Sequence, residues 1–239
     1  MEKECIVLAG GLGTRLRGTV DDVPKCMAPV AGRPFLHYLF DYLARSGFSR
    51  VILSLGYMHE TVERWAASEG RPFEIATSVE HTPLGTGGAI ARAAEMASGR
   101  HVFVLNGDTF FDADTEALRL AHTASGAAVT LALKPMRDFS RYGTVETDAG
   151  GRIRTFREKR YCEQGLINGG IYLLDQQRGL FDGLDGRFSF ETEVLQARVD
   201  DTVLQGCVSD GYFIDIGVPE DYARANADFA TMYGTERKF

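Results

Sequence analysis

The opening segment LAGGLGTRLRG, residues 8–18, places three glycines within four positions and follows them with Arg15. A short apolar run precedes it, and a strand that enters a glycine-rich turn is typical of phosphate binding. The segment is not a Walker A loop, because neither Lys-Ser nor Lys-Thr follows Gly18. It also fails the dinucleotide fingerprint, whose third small residue would fall at Leu16. Taken alone, it fits a phosphate-binding turn with Lys25 close behind, or a tight strand-to-helix turn with a surface arginine.

Two further stretches lie where strands are expected to end, and a lone carboxylate lies within a strand-like run. PLGTGG, residues 83–88, leads into a helix-like run, and helix starts offer free amides; glycines that permit close packing are an equal alternative. Asp108 closes the apolar run HVFVLNGD, which suits a Mg²⁺ ligand or a turn-forming residue. Asp215 is a charge among apolar neighbours and needs a partner or a metal. We expect Asp108 and Asp215 to form a metal-binding pair, although their spacing does not establish that they meet.

A glutamate and a lysine, Glu158 and Lys159, follow a third strand-like run. Their ordinary interpretation is a solvated surface pair. The alternative is that Glu158 holds a sugar hydroxyl and Lys159 a phosphate.

Before residue 135, predicted strands alternate with predicted helices, and these elements must position the residues named above. Strands are predicted at 4–9, 50–55, 73–79, 101–105 and 128–133, and helices at 35–45, 59–67, 86–98 and 114–124. Such alternation predicts a mostly parallel sheet with helices on both faces.

After Pro135 the next three predicted strands follow one another without helices between them. Strands at 143–146, 152–158 and 166–174, with a hairpin turn at 148–151, predict an antiparallel extension. The remaining predicted elements are a short helix at 189–199, a strand at 212–216 and a closing helix at 219–233. The fold class is therefore α/β, and one domain over residues 1–239 is the simplest organisation.

The composition excludes several classes of protein. The net charge of −7 argues against non-specific nucleic-acid binding. Four scattered cysteines form no CxxC pair, so neither a zinc nor a redox motif is indicated, and no disulfide framework is implied. The N-terminus leaves no room for a signal peptide, and no apolar run approaches a membrane span. We therefore expect a cytoplasmic protein without a membrane partner; the oligomeric state stays open, a homo-oligomer included.

Together these motifs resemble the sugar-1-phosphate nucleotidylyltransferases. The resemblance covers nearly the whole chain, in the family's order, through the opening turn, PKCMAPV, PLGTGGAI, LNGDTFFD, RYGTV, FREK, LINGGIYLL and YFIDIGVPEDY. It implies a Rossmann-like nucleotidyltransferase fold and the Mg²⁺-dependent reaction of a nucleoside triphosphate with a sugar 1-phosphate to give a nucleotide sugar and pyrophosphate. Within the family, the sequence is most similar to the branch that transfers GMP from GTP to D-glycero-α-D-manno-heptose 1-phosphate.

The resemblance also implies roles for individual residues. Arg15 and Lys25 would be catalytic, acting on the departing pyrophosphate and the α-phosphate region, and Asp108 and Asp215 would hold the metal. The nucleotide-binding set is Leu8, Gly10, Gly11, Gly13, Thr14, Glu80, Gly85 and Thr86, and the sugar-phosphate set is Gly143, Glu158, Lys159 and Asn168. These sets divide the chain into a nucleotide-binding half, about 1–134, and a sugar-phosphate-binding half, about 135–239. Glu80 would accept the N1–H and 2-amino donors of guanine, unless it is a solvated strand-end charge.

Three alternatives accompany this interpretation. Mannose 1-phosphate guanylyltransferase, or a uridylyltransferase for another sugar, would use the same class of site. A non-catalytic sugar-nucleotide sensor could keep the fold while losing the reactive side chains, yet Arg15, Lys25, Asp108 and Asp215 are all present. A dinucleotide-dependent oxidoreductase is disfavoured by the failed fingerprint.

Overall fold

The structure, a computed structural model, describes residues 2–11 and 23–234 of the 239-residue chain. The predicted site residues Gly13, Thr14 and Arg15 lie outside the described residues. Among the helices in the described ranges, none has the length and apolar character needed to cross a bilayer.

The helices follow the apolar spacing of the sequence. In the first, Leu36, Leu39, Phe40 and Leu43 recur at helical intervals and are all buried. The α-helices are α1 Phe35–Arg45, α2 His59–Ser68, α3 Gly85–Ala94, α4 Thr115–Ser125 and α5 Pro219–Tyr233. Single turns occupy Lys25–Met27 and Gln176–Arg178, and a π-helix occupies Phe190–Gln196.

The strands form a large sheet and two small ones. They are β1 Lys3–Leu8, β2 Pro29–Val30, β3 Arg33–Pro34, β4 Phe48–Leu55, β5 Glu74–Val79, β6 His101–Asn106, β7 Thr109–Phe111, β8 Val129–Phe139, β9 Thr144–Thr147, β10 Ile153–Arg157, β11 Cys162–Asp175, β12 Leu204–Val208 and β13 Phe213–Asp215. The large sheet has the order β10-β9-β11-β6-β1-β4-β5, with β8 paired to β11 and to β12. Strands β2 and β3 form a small hairpin, and β7 pairs with β13.

The parallel part of the sheet is built around β1, which pairs in parallel with β4 on one side and β6 on the other. The chain runs from β1 outward to β4 and β5 and then returns to β6, so the strand order reverses beside β1. Ligands of open α/β sheets bind beyond the carboxyl ends of the strands at such a reversal. The fold therefore confirms the predicted α/β class and locates the expected binding edge.

The antiparallel part is organised by the long strand β11. Its C-terminal length, from Ile171 to Asp175, pairs with β6 on one side, while β8 pairs with β11 on the other side both before and after residues 169–171. Between Asn168 and Tyr172 the register with β8 shifts, because four residues of β11 pass two of β8. This irregularity is a β-bulge, a feature that redirects side chains next to binding sites.

Two buried apolar clusters, one on each face of the sheet, hold the layers together. One gathers α1 and α5 and includes the ring pair Phe35–Phe229, which stack with centroids 6.1 Å apart. The other gathers α3 and the π-helix and includes Tyr172 against Phe190. The sheet is thus fixed from both sides, as the alternation of elements predicts.

Several boundaries differ from the sequence-based prediction. Helix α3 ends at Ala94 instead of 98, and β8 and β11 extend well beyond 133 and before 166. The β2–β3 hairpin, β7 and β12 were not predicted, because runs of two to five residues carry little periodicity. The predicted helix at 189–199 is the shorter π-helix.

Candidate functional site

The carboxyl ends of β1, β4, β5 and β6 surround a cleft of about 600 Å³, called here the strand-end cleft. This volume lies within the range of small-molecule sites. Its lining includes eight of the predicted site residues: Leu8, Gly10, Gly11, Lys25, Glu80, Gly85, Thr86 and Asp108.

Glu80 is held by the backbone at the end of β5. It is half-buried, and its Oε2 accepts a hydrogen bond from the amide of Leu84 at 2.9 Å. Its Oε1 faces Gly10 so closely that a methyl group on Gly10 would lie 2.9 Å from it. Gly10 thus allows the first turn to approach Glu80, which is not a freely solvated strand-end charge.

The PLGTGG segment begins α3, as predicted, but its glycines have a packing role. A side chain at Gly87 would lie 2.3 Å from the ring of Phe188, and the Gly87 amide donates to the Phe188 carbonyl at 3.0 Å. The hydroxyl of Thr86 accepts a hydrogen bond from the amide of Phe190 at 2.9 Å. Of the two interpretations left open, close packing accounts for Gly87, while Gly85 and Thr86 face the cleft.

Lys25 stands between the two predicted metal ligands. Its ammonium forms an ion pair with Asp108 and lies 3.8 Å from Oδ1 of Asp215, with only 10% of the side chain exposed. The aspartates meet because β13 pairs with β7, which sets Asp215 opposite Thr109, and because the Ile216 amide donates to the Asp108 carbonyl at 3.0 Å. The tertiary pairing supplies what the spacing alone did not establish.

This pair of carboxylates fits a hard cation in its donor chemistry. Mg²⁺ typically uses one or two carboxylates and completes its shell with water and substrate phosphates. Within residues 2–11 and 23–234, no group of three or more histidine, cysteine or acidic side chains is arranged to hold a metal. The aspartate pair therefore suits a cation that shares its ligands with a substrate, rather than a closed structural site.

Cys26 also lines the strand-end cleft. Burial, and then the negative charge of Asp108, raise the pKa of Cys26 to about 12. The thiol consequently stays protonated near neutral pH.

A second cavity of about 460 Å³, called here the side cavity, opens next to the cleft among β9, β11 and the π-helix. Its lining includes five predicted site residues: Gly143, Glu158, Lys159, Asn168 and Asp215. Glu158 and Lys159 are exposed, whereas Asn168 is held in the bulge of β11, where its Oδ1 accepts from the Gly170 amide at 3.0 Å. Tyr142 also lines this cavity; burial, and then the charge of Asp215, raise its pKa to about 12.

Among the residues that the structure describes, Asn106 and Glu191 line both cavities. Neither residue was assigned a role from the sequence. Asn106 ends β6 next to the predicted Asp108 and could have been included on position alone. Glu191 could not, because its approach to Thr86 is a contact between segments far apart in the chain.

The sheet has a glycine-rich edge, with a lysine and two aspartates beside two adjoining cavities. This arrangement is typical of α/β proteins that bind phosphorylated ligands. Comparison with known proteins identifies the family within this class of α/β proteins. The family described as "Nucleotidyl transferase" matches residues 4–232, and this chain belongs to it. Membership confirms the predicted enzyme class and excludes the oxidoreductase alternative.

Individual proteins are similar over nearly their whole length. The D-glycero-alpha-D-manno-heptose 1-phosphate guanylyltransferase of Aneurinibacillus thermoaerophilus is 44% identical, over 94% of this chain and 97% of that protein. The protein of the same name from Campylobacter jejuni is 45% identical, over 92% and 96%. The crystal structure of HddC from Yersinia pseudotuberculosis, complexed with GMP-PN, aligns with a TM-score of 0.84 and 33% identity, over 95% of this chain and 99% of that one.

Proposed function

We propose that this protein transfers GMP from GTP to D-glycero-α-D-manno-heptose 1-phosphate and releases pyrophosphate. The observation that carries the proposal is the position of Lys25, Asp108 and Asp215, which lie where two adjoining cavities of substrate size meet. The choice of guanine and of this heptose is supported by the similarity to two full-length guanylyltransferases of that name.

In this proposal the strand-end cleft takes the nucleotide and the side cavity takes the sugar phosphate. Gly10 and Gly11 let the backbone approach the phosphates, and Glu80 accepts from the guanine edge. Gly143 and Asn168 line the sugar-phosphate side, where Lys159 pairs with the phosphate and Glu158 with a hydroxyl. The nucleotide-binding and sugar-phosphate-binding halves of the chain, about 1–134 and 135–239, follow from this assignment.

The reaction suits such residues because it needs no strong general base. A phosphate oxygen of the sugar 1-phosphate, already anionic near neutral pH, forms a bond to the α-phosphorus of GTP. The bond from that phosphorus to the bridging oxygen breaks, and pyrophosphate leaves with the electron pair. Positioning and charge neutralisation then dominate the rate, and Lys25 is the described side chain placed to neutralise the α-phosphate. Arg15 would neutralise the departing pyrophosphate.

Asp108 and Asp215 would hold Mg²⁺ in this proposal. When bound, the ion would supply positive charge against the phosphate oxygens. Without it, Lys25 lies between the two carboxylates and balances part of their charge.

The test is a matrix of nucleoside triphosphates against sugar 1-phosphates, scored by pyrophosphate release with Mg²⁺ present. GTP with D-glycero-α-D-manno-heptose 1-phosphate should give the highest kcat/KM. Reactions without the sugar phosphate control for hydrolysis of the triphosphate. Preference for UTP or dTTP with every sugar phosphate would contradict the guanylyl assignment, and preference for mannose 1-phosphate would contradict the heptose. Binding of nucleotide without turnover of any pair would favour the sensor alternative.

A further inference from the structure

Glu191 lies at the border of the two cavities and lines both of them. On the side of the strand-end cleft, its Oε2 accepts a hydrogen bond from the hydroxyl of Thr86 at 2.7 Å. The same oxygen accepts from the hydroxyl of Ser189 at 3.2 Å. The carboxylate is therefore fixed directly to the turn that begins α3.

On the side of the side cavity, the same carboxylate lies beside the hydroxyl of Tyr172, which is fully buried in the core. Burial first, and then the charge of Glu191, raise the pKa of this hydroxyl well above its ordinary value, so it keeps its proton. The hydroxyl oxygen accepts a hydrogen bond from Nδ2 of Asn168 at 2.8 Å. Its own proton is thus available to Glu191, and a polar chain runs from Thr86 through Glu191 and Tyr172 to Asn168.

The local fold keeps Glu191 in this place. It is the second residue of the π-helix, a form of helix that is frequent at functional sites. The start of that helix is capped by Ser189, whose side chain accepts from the Thr192 amide. The preceding Phe188 exchanges backbone hydrogen bonds with Leu84 and Gly87, which clamps the segment onto PLGTGG.

We propose that Glu191 is a positioning residue that holds the two substrates in register by joining the Thr86 turn to Asn168. The inference rests on the proposed function, since it needs a nucleotide in one cavity and a sugar phosphate in the other. Rates of this kind of transfer are sensitive to alignment, and a misplacement of about 1 Å can cost about 100-fold. Loss of the link should therefore lower the rate of transfer more than it weakens the binding of either substrate.

The test compares Glu191→Gln with Glu193→Gln. Glu193 lies on the same π-helix, is exposed and lines neither cavity, so its substitution makes the same chemical change away from both substrates. Steady-state kinetics should use the substrate pair selected by the matrix, and Kd values should be measured by calorimetry with each substrate alone. We expect E191Q to lower kcat by about 10- to 100-fold and to leave both Kd values and both KM values within a few fold, while E193Q resembles the wild type.

Tyr172→Phe provides the second arm, because it removes only the hydroxyl from the same chain. If Glu191 acts through Tyr172, the double variant E191Q/Y172F should be no slower than the slower single variant. Y172F alone keeps the test decisive if E191Q does not fold, since it should lower kcat in the same way.

Four outcomes would overturn the inference. The first two concern E191Q: a folded variant with unchanged kcat, or one in which only the KM for the sugar phosphate rises. The other two are a double variant whose loss of kcat is the product of the two single losses, and a loss of kcat in E193Q equal to that in E191Q. Wild-type turnover separates the two proposals. If no pair reacts, the proposed function is wrong and this inference falls with it, whereas an active wild type matched by E191Q refutes the inference alone.

Discussion

The strand-end cleft and the side cavity differ in the structural elements that surround them. The cleft lies at the ends of four adjacent parallel strands, and the side chain of Lys25 in its lining is 10% exposed. The side cavity is formed by side chains from antiparallel strands, a π-helix and the exposed pair Glu158 and Lys159. The position of the cleft thus follows from the parallel part of the sheet, whereas the side cavity depends also on the antiparallel strands and on the π-helix.

This difference bears on how each cavity selects its ligand. In the proposed assignment, discrimination of the base in the cleft falls to side chains such as Glu80, which lies beside the glycines of the strand-end turns. A wall of side chains can change its preference by substitution without disturbing the sheet. We therefore expect substitutions in the cleft and in the side cavity to affect different kinetic constants.

The largest effect should come from the carboxylates where the two cavities meet. Asp108→Asn or Asp215→Asn should lower kcat by at least about 100-fold with both substrates saturating, because several kcal/mol of charge neutralisation are lost. Turnover should be measured across a Mg²⁺ titration together with the melting temperature. Asp112→Asn, an exposed aspartate paired with Arg45, is the matched control. Near-normal turnover of either variant at saturating Mg²⁺ would remove that aspartate from the metal site, and a parallel collapse of the melting temperature would indicate a structural role.

Lys159 tests the side cavity by itself. Lys159→Ala should raise the KM for the sugar phosphate by about 10-fold or more, the value of a hydrogen bond to a charged group, and leave the KM for GTP within about twofold. Arg160→Ala removes the neighbouring exposed cation, which lines neither cavity, and should resemble the wild type. A raised KM for GTP in K159A would mean that the two cavities are not assigned correctly.

Glu80 tests the base-recognition part of the strand-end cleft. The wild type should prefer GTP over ITP, which lacks the 2-amino group, and Glu80→Gln should lose about 10-fold of that preference. Glu74→Gln, at the exposed start of the same strand, is the control. Equal discrimination by E80Q and the wild type would show that Glu80 does not contact the 2-amino group.

The smallest effect on turnover is expected at His122, which is remote from both cavities. Its ring is buried, and Nδ1 lies 2.8 Å from the Thr130 hydroxyl. Burial lowers the pKa of His122 from 6.5 to about 4. The groups that face it are His101, Asp175, Arg100 and Arg178.

Stability should depend on His122 even though turnover does not. Because the folded protein favours the neutral ring, the unfolded chain binds more protons between pH 6.5 and pH 4. The free energy of unfolding should therefore fall as the pH drops through this window, by about 3 kcal/mol from this residue. His122→Gln should flatten that part of the urea-unfolding profile while kcat at pH 7 stays within about twofold. An unchanged profile, or the same flattening in the exposed-site variant His81→Gln, would contradict this assignment.

The sequence was sufficient for elements with a strong local pattern. Helix α1 begins and ends where its apolar spacing predicts, and Asp114 caps α4 through hydrogen bonds to two backbone amides. Short motifs identified the ends of β1 and β6, because the apolar runs of both strands stop at a glycine-containing turn. The resemblance to a family implied that Gly143 and Asn168 lie together in one site, and both line the side cavity.

The remaining features depend on tertiary contacts between distant segments, which a local sequence pattern does not predict. The meeting of Asp108 with Asp215 depends on β7, a strand too short to leave a periodic signal. Glu191 contacts Thr86 across more than a hundred residues and lies in a segment whose local pattern indicates only a short helix. Its position is a consequence of how Phe188 packs against Gly87, which no local pattern encodes.

In the bulge of β11, from Asn168 to Tyr172, β11 advances by four residues while β8 advances by two, and the two strands are paired on both sides of it. In an unbroken strand, a one-residue insertion would turn every later side chain to the opposite face. The excess in this bulge is two residues, so the side chains before and after it keep their faces of the sheet. Changes in the length of this bulge should therefore be tolerated in steps of two residues, which leave every side chain of β11 on its present face, whereas a step of one residue should not.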